Sequence, residues 1–223
     1  MAGDHGCSRP GAAQPAQASK PSRPKVEVVV GTAEHAADAE LVGRLAAMIN
    51  AAYAASVEDL LGPAHHQRIS PDEVRRRLQQ GGAAGANRVL HVALRDGRPL
   101  GCCSSTLQPP WTPNGCGHWG LLAVDAAAQG QGVASALVSA AEQRLAKAGC
   151  TQIQIEYEYT AGHAYSQRLC DWYETRLGFQ NQTGWLLNRL FGAIVGRGGS
   201  EFRRCRRPLE PHPASEPVPV AAS

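Results

Sequence analysis

Apolar positions recur along the chain with two different periods, and the change from one to the other lays out its elements. Val26, Val28 and Val30 alternate with Lys25 and Glu27, the pattern of a first strand. Leu41, Leu45, Met48, Ile49 and Ala52 then follow helical spacing and predict a helix over about 37–54. Ser70-Pro71-Asp72-Glu73 opens a second helix, with Ser70 as N-cap, proline at the first position and acids in the first turn; Gly81-Gly82 closes it. Val89 to Leu94 and Leu100 to Leu107, joined through Asp96-Gly97, read as a hairpin. The prolines of 109–115 require a loop, because they cannot donate ladder hydrogen bonds. Residues 118–124 are almost wholly apolar, as in a strand buried on both faces. A helix over 132–148 carries Leu137, Ala141, Leu145 and Ala148 on one side and stops at Gly149. Residues 152–159 alternate strictly, Ile153, Ile155, Tyr157 and Tyr159 against Gln152, Gln154, Glu156 and Glu158. These last three elements make one βαβ unit with parallel strands. A helix over about 165–176 and a strand from Phe179 follow.

Length and composition narrow the class. The 223 residues suit one domain with tails, and 43% hydrophobic against 18% charged residues can build a core. A net charge of +3 points to no nucleic-acid or membrane partner, though it suits mild attraction of an anionic ligand. No apolar run approaches the ~20 residues that span a bilayer. Cysteines at 7, 102, 103, 116, 150, 170 and 205 form no C-x-x-C pair, and their odd number reads as reduced thiols in a reducing compartment. Cytoplasmic residence is expected. Cys116-Gly117-His118 has no second ligand pair, so no metal is expected. Residues 1–24, rich in Ala, Pro, Gln and Ser, read as a disordered tail, with an organellar transit peptide as the other reading. Residues 208–223, with four prolines from Pro211 onward, read as a second tail. The ordered domain is expected over 25–207.

The chemistry concentrates where strand 118–124 runs into Asp125-Ala126-Ala127-Ala128-Gln129-Gly130-Gln131-Gly132-Val133-Ala134 and opens a helix. A glycine-bearing turn at a helix start aims free N–H groups at one spot, reinforced by the helix dipole, and so makes a pyrophosphate cradle. One candidate is a dinucleotide fold, with Glu156 or Glu158 as ribose ligand. Against it, the third small residue, Ala134, comes too early, the turn is too long, and no second mononucleotide half exists.

Gln129-Gly130-Gln131-Gly132-Val133-Ala134, after Leu122-Ala123-Val124-Asp125, resembles the [Gln/Arg]-x-x-Gly-x-[Gly/Ala] signature of the GNAT acyl-CoA N-acetyltransferases. Tyr173-Glu174-Thr175-Arg176-Leu177-Gly178-Phe179 looks like that family's Tyr-x-x-Leu-Gly-Phe ending, and Asn50-x-x-Tyr53 is also similar. The resemblance covers about residues 25–207. It implies a mixed α/β fold, a mostly antiparallel twisted sheet with a central parallel βαβ unit flanked by helices. Two departures stand out. Tyr173 lies five residues before Gly178 instead of four, so either one residue is inserted in the last turn or the helix is rotated by about 100°. The segment 183–200 is also long for a hairpin connection. Its apolar residues from Trp185 to Val195 can form an amphipathic helix that packs on the domain, lines the acceptor tunnel or makes a subunit interface in a homodimer.

The resemblance further implies direct transfer of an acetyl group from acetyl-CoA to a primary amine, of a small molecule or a protein. The strand before the loop would splay from its parallel neighbour, with Leu122, Ala123 and Val124 along the pantetheine arm. The amides of Gln129, Gly130, Gln131, Gly132, Val133, Ala134 and Ser135 would hold the pyrophosphate. His118 is the candidate base, since an imidazole titrates near neutrality. Glu156 is a second catalytic candidate beside the amine, and Tyr173 is the candidate acid for the leaving thiolate. His65-His66-Gln67-Arg68 lies where the acceptor is usually enclosed. A non-catalytic acyl-CoA-binding module is the competing class.

Overall fold

The computed structural model describes residues 26–61, 67–183 and 200–210, with only the backbone over 55–61. Residues 1–25, 62–66 (with His65-His66), 184–199 and 211–223 lie outside the described residues, and with them most of both expected tails and the expected late helix. In chain order the elements are β1 (Glu27–Val30), α1 (Ala33–Ala37), α2 (Ala39–Leu61), α3 (Pro71–Gly81), β2 (Arg88–Arg95), β3 (Arg98–Thr106), β4 (Cys116–Val124), α4 (Val133–Lys147), β5 (Gln152–Thr160), α5 (Ala164–Cys170), β6 (Gln180–Asn181) and β7 (Ser200–Pro208). The strands form one seven-stranded sheet in the order β1-β2-β3-β4-β5-β7-β6. Among the described residues only β4 and β5 run parallel.

Local chemistry explains most boundaries. The first helix is two helices, because the Asp38 carboxylate accepts the amides of Glu40 and Leu41 at 2.9 and 3.0 Å and caps a fresh start. Ser70 caps α3 by accepting the Glu73 amide. Asp96 and Gly97 both take positive φ, +50° and +74°, as the tight turn of a two-residue hairpin demands. β7 continues to Pro208 and Leu209 is buried, slightly past the expected edge of the domain.

Each face of the sheet is covered. Leu41, Leu45, Ile49, Val74 and Leu78 of α2 and α3 pack on Leu90 and Val92. On the other face Leu137, Ala141 and Leu145 of α4 meet Trp119, Ile153 and Ile155. Burying each such side chain contributes about 1.5–3 kcal/mol, so the two layers hold the strands between them.

Three irregularities shape what lies between. The β4–β5 ladder pairs only Cys116–His118 with Gln152–Gln154, after which the strands part. On its other edge β4 bulges. Cys102 faces Ala123 and Ser104 faces Gly120, so Cys103 alone opposes Leu121 and Leu122, and Leu121 takes φ +49°. The expectation of a strand buried on both faces holds for its start but not its end, since beyond Gly120 only Ala123 is buried. Finally, α5 runs on as a π-helical turn over Asp171–Arg176, where the Leu177 amide reaches back to the Trp172 carbonyl. A π turn houses one extra residue. The offset of Tyr173 is thus an insertion absorbed by the turn.

Candidate active site

The loop after β4 is braced from within. Asp125 accepts the Ala127 amide at 2.8 Å. Gln131 donates to the Ala127 carbonyl at 2.8 Å and accepts from Arg95 at 3.0 Å. Its side chain is therefore occupied by the loop itself, while Gln129 is exposed. Gly130 and Gly132 adopt φ +72° and +83°, and a Cβ on either would project into open space. Among the described residues, the amides of Gly130, Gly132, Val133, Ala134 and Ser135 have no backbone acceptor. Free N–H groups at a fifteen-residue helix start fit a pyrophosphate. Leu122 and Val124 are half-buried and Ala123 is buried, and the edge of β4 turned toward β5 is unpaired beyond His118. An open strand edge fits an amide-bearing arm.

His118 stands at the last rung of the β4–β5 ladder, and its Nε2 lies 2.8 Å from Oε2 of Glu156. Parallel register makes the contact: His118 pairs with Gln154, and Glu156 is two residues further on the same face. Both side chains are about 15% exposed. Burial works to raise the Glu156 pKa, but hydrogen bonding and attraction from His118, with help from Gln154 and Arg204, hold it below the ordinary value. An ionised carboxylate only accepts, so His118 donates from Nε2, which in the neutral ring leaves the lone pair on Nδ1. Gln154, fully buried despite its place in the polar register, donates to Glu156 and accepts from Arg206 Nε at 2.6 Å. The His118 ring lies so close over Gly120 that a Cβ there would sit 2.9 Å from Cε1. Trp111, 44% exposed, meets the ring edge-on at 5.7 Å.

Tyr173 is 9% exposed and packs between Tyr157, Trp172 and Trp119, at 5.0, 5.1 and 5.9 Å between ring centres. Burial above all pushes its phenol pKa well up. Glu174, which occupies the four-before-glycine position, is engaged elsewhere: it accepts from Tyr157 and pairs with Arg203 at 2.9 Å. The π turn thus directs Tyr173 inward and Glu174 into a separate polar cluster.

A cavity of about 250 Å³ opens beside His118, lined by Arg68, Arg77, Arg88, Thr106 and Trp111 among others. Asn50 fixes its rim by exchanging hydrogen bonds with the backbone of Ile69, at 2.9 and 3.0 Å, and Tyr53 lies 4.8 Å beneath the Arg68 guanidinium. Both motif residues of α2 thereby act on the segment that carries Arg68. Sequence reasoning missed Arg77 and Arg88. The signal for Arg88 is the sheet register, which aligns Arg88, Thr106, His118, Gln154 and Arg206 in one row. Among the described residues no group of three potential metal ligands is gathered, and no helix is long and apolar enough to cross a membrane.

The chain is structurally similar to several acetyltransferases. PaiA N-acetyltransferase from Thermoplasma acidophilum, solved in complex with coenzyme A, superposes with a TM-score of 0.58 at 9% identity, covering 81% of this chain and 98% of that one. Ribosomal-protein-alanine N-acetyltransferase from Brucella melitensis gives 0.54 at 18%, over 82% and 99%. An N-acetyltransferase from Staphylococcus aureus Mu50 gives 0.52 at 15%, over 83% and 99%. A search of curated proteins found no match. These likenesses establish the fold. The family rests on sequence: residues 54–179 match the model of the acetyltransferase (GNAT) family, which sets aside the dinucleotide reading. With the signature loop, the splayed strands and this match in agreement, the chain belongs to the GNAT acetyltransferases.

Proposed function

We propose that the chain moves an acetyl group from acetyl-CoA directly to a primary amine, with His118 as general base and Glu156 as the group that orients it. The observation that carries this reading is the 2.8 Å His118–Glu156 contact, placed where β4 and β5 part and beside a cavity. When bound, acetyl-CoA supplies the thioester. The amides of Gly130, Gly132, Val133, Ala134 and Ser135 hold its phosphates, those of Gln129 and Gln131 being turned to the carbonyls of Ala126 and Ala128, and the backbone of Leu122, Ala123 and Val124 lines its arm. An alkylammonium near pKa 10 is no nucleophile at neutral pH, so its proton must leave first. His118 takes that proton on Nδ1, and Glu156 stabilises the resulting imidazolium through Nε2. Gln154 and Arg206 fix Glu156 from behind. Tyr173 is assigned as the proton donor to the departing thiolate, the role that the family's Tyr-x-x-Leu-Gly-Phe ending implies.

Thiol release from acetyl-CoA, followed across a panel of amines, tests the proposal. Turnover with at least one amine is expected, and it should fall by roughly 10²-fold or more in His118→Ala while CoA affinity stays unchanged. A chain that binds CoA yet releases no thiol with any amine is a binding module, and the proposal falls.

A further inference from the structure

The cavity is unusual for an amine site, because among the described residues its lining holds three arginines and no carboxylate. An acceptor that was merely a cation would be repelled there. Arg77 is paired locally, its Nε lying 2.8 Å from Glu73, a carboxylate it shares with Arg76. Arg68 and Arg88 are not: among the described residues neither forms an ion pair. Arg88 is oriented instead by a 3.2 Å bond from Nε to Thr106 Oγ1, which leaves its terminal nitrogens for another acceptor. Arg68 rests on the Tyr53 ring, a contact that fixes its plane without cancelling its charge.

We propose that the acceptor is a small primary amine that also carries an anionic group, a carboxylate or a phosphate ester, held by Arg68 and Arg88. This rests on the acetyltransferase reading of the same site. Arginine suits the task, since its planar fork matches both oxyanions. Distance suits it too. Arg88, Thr106 and His118 pair across three adjacent strands, so Arg88 stands two strand spacings, about 10 Å, from His118. The arginine spans part of that gap, leaving a few bonds between anion and amine. The cavity, at about 250 Å³, is smaller than the roughly 300–1,000 Å³ of pockets for drug-sized ligands, which favours a compact metabolite. The two guanidiniums also disfavour the charged form of the amine, easing its deprotonation by His118.

A charge series built on one amine decides the matter. 4-Aminobutyrate, butylamine and putrescine differ mainly in the group distal to the amine, and O-phosphoethanolamine against ethanolamine separates phosphate from carboxylate. Thiol release should show kcat/KM at least tenfold higher for an anionic member than for its neutral or cationic partners. Arg68→Met and Arg88→Met should each raise KM for that substrate about tenfold without raising KM for butylamine. Putrescine or butylamine as the preferred acceptor, or an unaltered KM in both variants, would overturn the inference. If no amine releases thiol, the acetyltransferase reading fails by itself and binding decides the anion site. Succinate or inorganic phosphate, with CoA present, should then raise the melting temperature of the wild-type chain and not of the Arg68→Met/Arg88→Met double variant. Absence of such protection in the wild type sinks the proposal.

Discussion

His118 is held by its neighbours on three sides. Glu156 holds Nε2, Trp111 meets the ring edge, and Gly120 leaves room beneath it. His118→Ala is expected to lower turnover by roughly 10²-fold or more, the usual weight of a positioned base. Glu156→Gln keeps a hydrogen-bond partner but removes the charge that stabilises imidazolium. It should lower kcat by about tenfold while leaving CoA affinity unchanged. An unchanged kcat would show that Glu156 has no hold on the base. Gly120→Ala should lower kcat without loss of CoA affinity, because its methyl group must displace the ring. Much of this was legible from residue type, since His118 and Glu156 each stood out beforehand. Their contact was not, because it depends on which residues of two distant strands share a rung.

At the scale of elements, the loop and the π turn make opposite demands. Gly130 and Gly132 need left-handed backbone and clear space, and the motif announced both. Gly132→Asp should abolish the rise in melting temperature that CoA produces, by placing a carboxylate against the phosphates and straining a backbone at φ +83°. A retained shift would place the phosphates elsewhere. The π turn was legible only as a spacing anomaly around Tyr173. Sequence could count the extra residue but could not choose between an inserted residue and a rotated helix, because the choice is made by packing against Trp119 and Tyr157. Tyr173→Phe tests the outcome: a drop in kcat of roughly 10²-fold fits a proton donor, and a full-rate variant confines Tyr173 to packing. The bulge at Leu121 had no sequence signal at all, since leucine rarely takes positive φ.

At the scale of the molecule, stability carries a pH signature away from the site. His91 is 2% exposed on β2 and bonded to Ser105 at 2.9 Å. Burial, with the nearby Arg144 charge, pushes its pKa down to about 4. Above about pH 6.5 neither the folded nor the unfolded chain protonates this residue. Between about 6.5 and 4 only the unfolded chain does, so stability falls as the solution is acidified, by roughly 3 kcal/mol in all. Denaturant midpoints across that window should flatten in His91→Gln, and an equal slope in both proteins would refute the assignment. The splayed seam has a mechanical consequence as well. β4 and β5 share only three backbone rungs, and the His118–Glu156 bond crosses the gap just beyond the third, like a stitch at the end of a tear. The base and its partner therefore also limit how wide the wedge can open. Cutting that stitch in His118→Ala should speed amide hydrogen exchange at 116–118 and 152–156 while leaving β1 and β2 unaffected. Each catalytic proton that arrives at His118 would then tighten the seam, and each that leaves would loosen it for the product to depart.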